Sequence, residues 1–168
     1  MNVTLRPYQL NDTMTIATLA NNPAVSRYLH NDFPYPYPLE TARKLVEHML
    51  TVSISERIEF VIDVDQQFAG AIGVTFSKDI YKTTATLGYW LGEPYWHQGI
   101  MQQVMKTFIP YIFTNLSIHK MVAEVFRANI ASQKLLLKNG FLQEGVLKEH
   151  VYKYQQYHDI ILYGLLNK

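Results

Sequence analysis

Leu87-Gly88-Tyr89-Trp90-Leu91-Gly92-Glu93-Pro94-Tyr95-Trp96-His97-Gln98-Gly99-Ile100-Met101-Gln102-Gln103-Val104 reads as a strand, a short loop and the entry to a helix. The strand ends near Leu91, and after Gly99 the apolar residues Ile100, Val104, Met105, Phe108, Ile109, Ile112 and Phe113 recur at helical spacing. The first turn of a helix carries unpaired N–H groups at the positive end of its dipole. Successive N–H groups from Gln98 to Gln102 can therefore converge on a pyrophosphate, and a glycine lets the ligand approach the backbone closely. Equally, Gly99 can do no more than ease a tight strand-to-helix turn. The spacing is neither that of a P-loop nor that of the dinucleotide fingerprint, so nucleotide hydrolysis and hydride transfer gain no support.

Outward from this stretch, the pattern is that of a mixed sheet with helices. Upstream, Val3–Arg6 alternates and stops at Pro7, as a short strand does. Asn11 and Asp12 are placed to cap a helix through Ile16 and Leu19, and a second short helix is expected from Ala24 to Leu29. Phe33-Pro34-Tyr35-Pro36-Tyr37-Pro38 can be neither helix nor central strand, because each proline fixes φ and lacks a donor. Leu39–Val52 places Ala42, Leu45, Val46, Met49 and Leu50 on one helical side. Ile58–Val64 and Phe68–Phe76 flank Asp65-Gln66-Gln67 as a hairpin, and Thr83–Leu91 is a third strand.

Downstream, Pro110 removes one helical hydrogen bond and predicts a kink rather than a stop. Met121–Phe126 reads as a strand. Asn129 opens a short helix that ends at Asn139-Gly140, a left-handed C-cap signal, and Leu142–Tyr154 pairs with Tyr157–Leu166. The order β-α-α-β-β-β-α-β-α-β-β predicts one α/β (α+β) domain over residues 1–168, a sheet of six or seven strands with helices on both faces.

Composition excludes several functions. The chain has 168 residues, a formal net charge of +1 and no cysteine, which removes disulfides, thiolate catalysis and cysteine-ligated metals. No basic block points to nucleic acid, no apolar run is long enough to span a membrane, and no HExxH-type spacing points to a metal. A soluble, untargeted, cytoplasmic protein that holds no metal is expected.

Two further blocks lie downstream: Ala123-Glu124-Val125-Phe126-Arg127-Ala128-Asn129-Ile130-Ala131-Ser132, then Lys138-Asn139-Gly140-Phe141 with Glu144-Gly145. With the Gly99 stretch they resemble, in order and spacing, the GNAT superfamily of N-acetyltransferases, and more narrowly its ribosomal-protein N-terminal acetyltransferase branch. The resemblance runs from Leu5-Arg6-Pro7 to His158-Asp159 and Tyr163. In the family pattern Arg/Gln-x-x-Gly-x-Gly/Ala, Trp96 takes the first position and Gly99 the central glycine. His97 stands where the branch commonly has glycine, and Met101 replaces the final small residue, so its side chain must turn away for its N–H to serve.

The resemblance implies a mostly antiparallel sheet with a splayed central strand pair and acetyl-CoA as co-substrate, held by Tyr89, Trp90, Leu91, Trp96, His97, Gln98, Gly99, Ile100, Met101, Gln102, Asn129 and Ser132. It implies transfer of acetyl to a primary amine, either a protein N-terminus or a small molecule, by direct attack through a tetrahedral intermediate. A non-catalytic acyl-CoA-binding or sensing module is the alternative on the same fold. A homodimer is common among relatives.

The chemistry requires an amine that has lost a proton, donors for the oxyanion, and an acid near the departing thiolate. The resemblance places Glu124 as the base and Ser132 as the acid, since the position seven residues after Asn129, often tyrosine in relatives, is Leu136. Each has a plainer reading. Glu124 can be a solvent-facing or lysine-paired carboxylate, Asn129 a helix cap, and Ser132 a partner for a backbone group. Glu93, Glu149, His150, His158 and Asp159 are further candidates for a base acting through water. The resemblance sets the Phe33–Pro38 segment in the acceptor wall, with Phe33 and Tyr35 against the substrate, or else it is a packed surface connection.

Overall fold

A computed structural model describes all 168 residues, Met1–Lys168. Seven strands, β1 (Val3–Arg6), β2 (Arg57–Val64), β3 (Gln67–Phe76), β4 (Thr84–Leu91), β5 (Lys120–Phe126), β6 (Leu142–Lys153) and β7 (Gln156–Leu166), form one sheet in the order β1-β2-β3-β4-β5-β7-β6. The helices are α1 (Asp12–Ala20), α2 (Pro23–Ser26), α3 (Leu39–Thr51), α4 (Ile100–Asn115) and α5 (Ile130–Lys138), so three helices, not the two of the expected order, separate β1 from β2. β4 and β5 run parallel, whereas β1–β2, β2–β3, β5–β7 and β6–β7 are antiparallel. The parallel ladder covers only Thr84–Thr86 against Lys120–Val122. The chain groups into two compact units, residues 1–75 with 88–104, and residues 76–87 with 105–168.

In the first unit, Tyr8, Ile16, Ala20, Tyr37, Ala42, Val46, Val61, Phe68 and Ala71 form the core. Full burial of an aliphatic or aromatic side chain contributes about 1.5–3 kcal/mol, which fixes α1 and α3 to the sheet face. The stripe on α3 is narrower than its sequence suggests. Ala42 and Val46 are buried and Leu45 and Met49 partly so, but Leu50 is 48% exposed. It lies about 80° around the helix from Ala42, which carries it off the core-facing side.

Asn11 does not cap α1: its backbone is already helical and its side chain makes no cap bond. Asp12 organises that entry instead, accepting the Gln9 N–H at 2.8 Å and two bonds from Arg6 at 2.7 and 2.9 Å. α2 is shorter than expected, Pro23–Ser26, and is capped by Asn22, whose side chain accepts the Ala24 N–H at 2.8 Å. The β2–β3 hairpin turns on two residues rather than three. Asp65 and Gln66 both have positive φ, 50° and 67°, as a two-residue turn matching the strand twist requires.

In the second unit the large fully buried side chains include Phe108, Met121, Leu136, Phe141 and Tyr163. α4 runs unbroken through Pro110. At the end of α5, Gly140 takes φ +87°, the Gly140 N–H reaches the Leu137 carbonyl, and the Phe141 N–H reaches the Leu136 carbonyl, each at 3.1 Å. This is a Schellman stop, and Leu136 and Phe141, the pair such a stop brings together, are both fully buried.

Candidate active site

The predicted residues divide between the two units. In the first, the chain leaves β4 at Leu91, makes a single 3₁₀ turn over Glu93–Tyr95 and enters α4 at Ile100. The turn is tied back to the strand by Trp96, whose indole Nε1 donates to the Leu91 carbonyl at 2.7 Å. The Trp96 N–H reaches Glu93, and the Gln98 side chain donates to the Pro94 carbonyl at 2.7 Å. The Gly99 carbonyl accepts the Gln103 N–H at 3.1 Å and so starts the helical ladder.

The backbone N–H groups of His97, Gln98, Gly99, Ile100 and Met101 donate to nothing within the chain. Five consecutive free donors at a helix entry form a concentrated source of positive potential. Gly99 has φ +75°, and a Cβ there would meet nothing within 4 Å, so its conformation rather than crowding inside the chain calls for glycine. His97 has φ +61°, which explains why a glycine is usual at that place. Left-handed backbone costs an L-residue about 1–2 kcal/mol, so His97→Gly is expected to stabilise the chain by about 0.5–1 kcal/mol after glycine's entropy is counted. A rise in the urea midpoint checks this.

Phe33 packs on Tyr37 and Trp90, with ring centroids 4.8 and 5.1 Å away, and Phe68 closes the cluster 5.7 Å from Trp90. Phe33 therefore anchors its proline-rich segment to the β4 end, while Tyr35 is half exposed. Tyr37 is buried, and burial, with Asp32 and Glu59, pushes its phenol up to about 12. It is a ring in the core rather than a base.

In the second unit Glu124 lies exposed on β5, opposite Leu162 of β7, and its side chain makes no ion pair or hydrogen bond. The lysine-paired reading of Glu124 is thereby removed. Asn129 caps α5, its side-chain oxygen accepting the Ser132 N–H at 3.2 Å. Its side-chain amide nitrogen donates to nothing in the chain.

The other candidate bases are occupied to different degrees. Asp159 accepts the Glu149 N–H at 2.9 Å and pairs with Arg127 at 3.0 Å. Those two contacts, the Glu149 N–H foremost, draw its carboxyl below the usual range, which makes it a poor proton acceptor. His158 has Nε2 3.0 Å from the Lys153 carbonyl, which only accepts, so that nitrogen carries a proton. Glu93 accepts from the Asn22 side chain. Glu149 and His150 are exposed on β6.

Three features escaped the sequence reading. The Arg127–Asp159 pair joins residues 32 apart and lines an open depression of about 330 Å³ with Phe126, Ala128, Tyr157 and His158. The Trp96 indole bond to Leu91 needed the path of the turn. The third is the close packing of β3 against the end of β4 at Gly70, described below. None has a local sequence signal: the first and third depend on segments meeting through the sheet, and the second on the conformation of the turn.

The chain is 25% identical over 169 aligned residues to the uncharacterized N-acetyltransferase p20 of Bacillus licheniformis, covering 99% of this chain and 93% of that protein. It is 31% identical over 105 residues to the ribosomal-protein-serine acetyltransferase of Escherichia coli, covering 62% of this chain and 58% of that one. Its fold superimposes with a TM-score of 0.88 on a RimL ribosomal alpha-N-protein acetyltransferase solved with coenzyme A, at 24% identity, over 99% of this chain and 94% of the other. The acetyltransferase (GNAT) domain family matches residues 2–142, a span that takes in the Gly99 turn, Glu124 and the Asn129–Ser132 cap alike, so the chain belongs to the GNAT acetyltransferase family.

Proposed function

We propose that this chain transfers an acetyl group from acetyl-CoA to a primary amine, a protein N-terminus or a small-molecule amine. The observation that carries the reading is the run of five free N–H groups from His97 to Met101, in the stretch that resembles the family's pyrophosphate loop. Such a run fits a diphosphate: it supplies donors without a buried cation, and Gly99 keeps its outer side clear of a side chain. Acetyl-CoA supplies the activated acyl thioester.

The chain's own groups then have separate tasks. His97, Gln98, Gly99, Ile100, Met101 and Gln102 hold the pyrophosphate, with Trp96 bracing the turn. Asn129 binds the pantetheine arm through its side-chain amide. Backbone N–H groups at the Trp90–Leu91 end of β4 polarise the thioester carbonyl and stabilise the oxyanion, a task for which fixed dipoles are well suited. Glu124 takes the proton from the attacking amine, directly or through water, and Ser132 returns one to the departing thiolate. No metal takes part in these steps. Phe33 and Tyr35 face the acceptor from the proline-rich segment.

Gly99→Ala tests the coenzyme half of the reading. It is expected to raise the KM for acetyl-CoA at least about tenfold, a loss near 1.4 kcal/mol, with a smaller change in kcat. The whole reading is tested by thiol release from acetyl-CoA against free amino acids, N-terminal peptides, polyamines and aminoglycosides. Release that depends on an amine is expected. Tight binding of acetyl-CoA with no release on any of these amines would instead establish a non-catalytic acyl-CoA-binding module.

A further inference from the structure

The end of β4 is held by three contacts. On β3, a Cβ at Gly70 would stand 2.2 Å from the Trp90 carbonyl oxygen and 2.9 Å from the Leu91 Cα, distances no real side chain tolerates. The absence of a side chain therefore lets the Trp90–Leu91 backbone press onto β3. The adjoining bond, from the Gly92 N–H to the Ala69 carbonyl at 2.8 Å, locks the same segment. From the other direction the Trp96 indole takes the Leu91 carbonyl at 2.7 Å. The β4–β5 register covers only Thr84–Thr86, so this end of β4 is held on its other edge, by β3, and by its own turn.

We infer that Gly70 and Trp96 are positioning residues, which set where the Trp90–Leu91 main chain lies and so where its N–H groups meet the reacting carbonyl. The inference rests on the proposed acetyl transfer. A side chain at 70 must move that backbone by a large fraction of an ångström, and misplacement of about 1 Å at a reacting centre costs about 10²-fold in rate. Gly73 provides the control. It lies on the same strand with an equally crowded Cβ position, 2.6 Å from the Ile58 carbonyl oxygen and 2.9 Å from the Glu59 Cα, but the crowding is against β2.

The test compares Gly70→Ala, Trp96→Phe and Gly73→Ala in the full chain. Three quantities are read: amide chemical shifts of Trp90–Gly92, the Kd for coenzyme A, and kcat with acetyl-CoA and a short peptide or spermidine as acceptor. Gly70→Ala and Trp96→Phe are expected to shift those amides and lower kcat about 10²-fold; the Kd for coenzyme A stays within about threefold in Gly70→Ala and rises in Trp96→Phe, which also loosens the turn. Gly73→Ala is expected to lose stability and keep kcat within about twofold. Should Gly70→Ala fail to fold, Trp96→Phe carries the decision. Wild-type kcat in either folded variant, unmoved amides, or an equal kcat loss in Gly73→Ala overturns the inference. A wild-type chain that releases no thiol with either acceptor counts against the acetyl-transfer reading instead, and the amide shifts then decide alone whether Gly70 and Trp96 hold the segment.

Discussion

Glu124→Gln is expected to lower kcat for acetyl transfer by about 10²- to 10⁴-fold while leaving stability within about 0.5 kcal/mol. The two halves of this expectation have different origins. An ammonium has no lone pair, so the acceptor must surrender a proton, and glutamine cannot take one. Stability is spared because Glu124 is exposed and its side chain makes no ion pair or hydrogen bond whose loss would strand a buried partner. Its rivals are less available. Asp159 is committed to Arg127 and the Glu149 N–H, and Glu93 is tied to Asn22. Steady-state kinetics across a pH series, beside a denaturation curve, makes the comparison. Turnover of the variant equal to wild type at every pH would remove Glu124 from the mechanism.

Arg6→Ala is expected to destabilise the chain by about 3–5 kcal/mol, the largest effect on folding of any single change considered. The Arg6 guanidinium binds Asp12 through two nitrogens, at 2.7 and 2.9 Å, and Asp63 through Nε at 2.7 Å. Asp12 and Asp63 are only 4% and 7% exposed. Both carboxylates, Asp12 foremost, hold the guanidinium pKa above its ordinary value. Removing Arg6 would leave two buried carboxylates without their cation. Urea denaturation should show the loss, and a thermal midpoint should fall by about 10 °C for a chain of this size. The combination Arg6→Met, Asp12→Asn, Asp63→Asn should recover part of it, since no unpaired charge then remains buried. A fall under about 1 kcal/mol for Arg6→Ala would show that the cluster is solvated in solution.

The same cluster marks the limit of what local sequence conveys. Leu5-Arg6-Pro7 shows a strand ending, and Asn11-Asp12 shows a helix beginning, but neither says that the aspartate turns back onto the arginine. Asp63 joins them from 57 residues away. Local capping rules favour Asn11, and the tertiary ion pair won because Asp12 satisfies both the Gln9 N–H and a buried cation. The C-terminal stop of α5 went the other way. Asn139-Gly140-Phe141 announced it because a left-handed residue and a following apolar contact are local requirements, and the bonds to Leu136 and Leu137 meet them.

By itself, the sequence determined the strand and helix order, the helix entry at Gly99, and the family. Periodicity, turn chemistry and capping act over a few residues, and the three motif blocks lie in a fixed order. Only the tertiary structure decided which charged side chains are paired. That Asp63 joins Arg6 and Asp12, that Asp159 is committed to Arg127, and that Glu124 has no cation beside it are outcomes of how separate segments meet. A hydrogen-bonding group is reactive or inert according to whether the fold has already satisfied it. That accounting closes only in three dimensions.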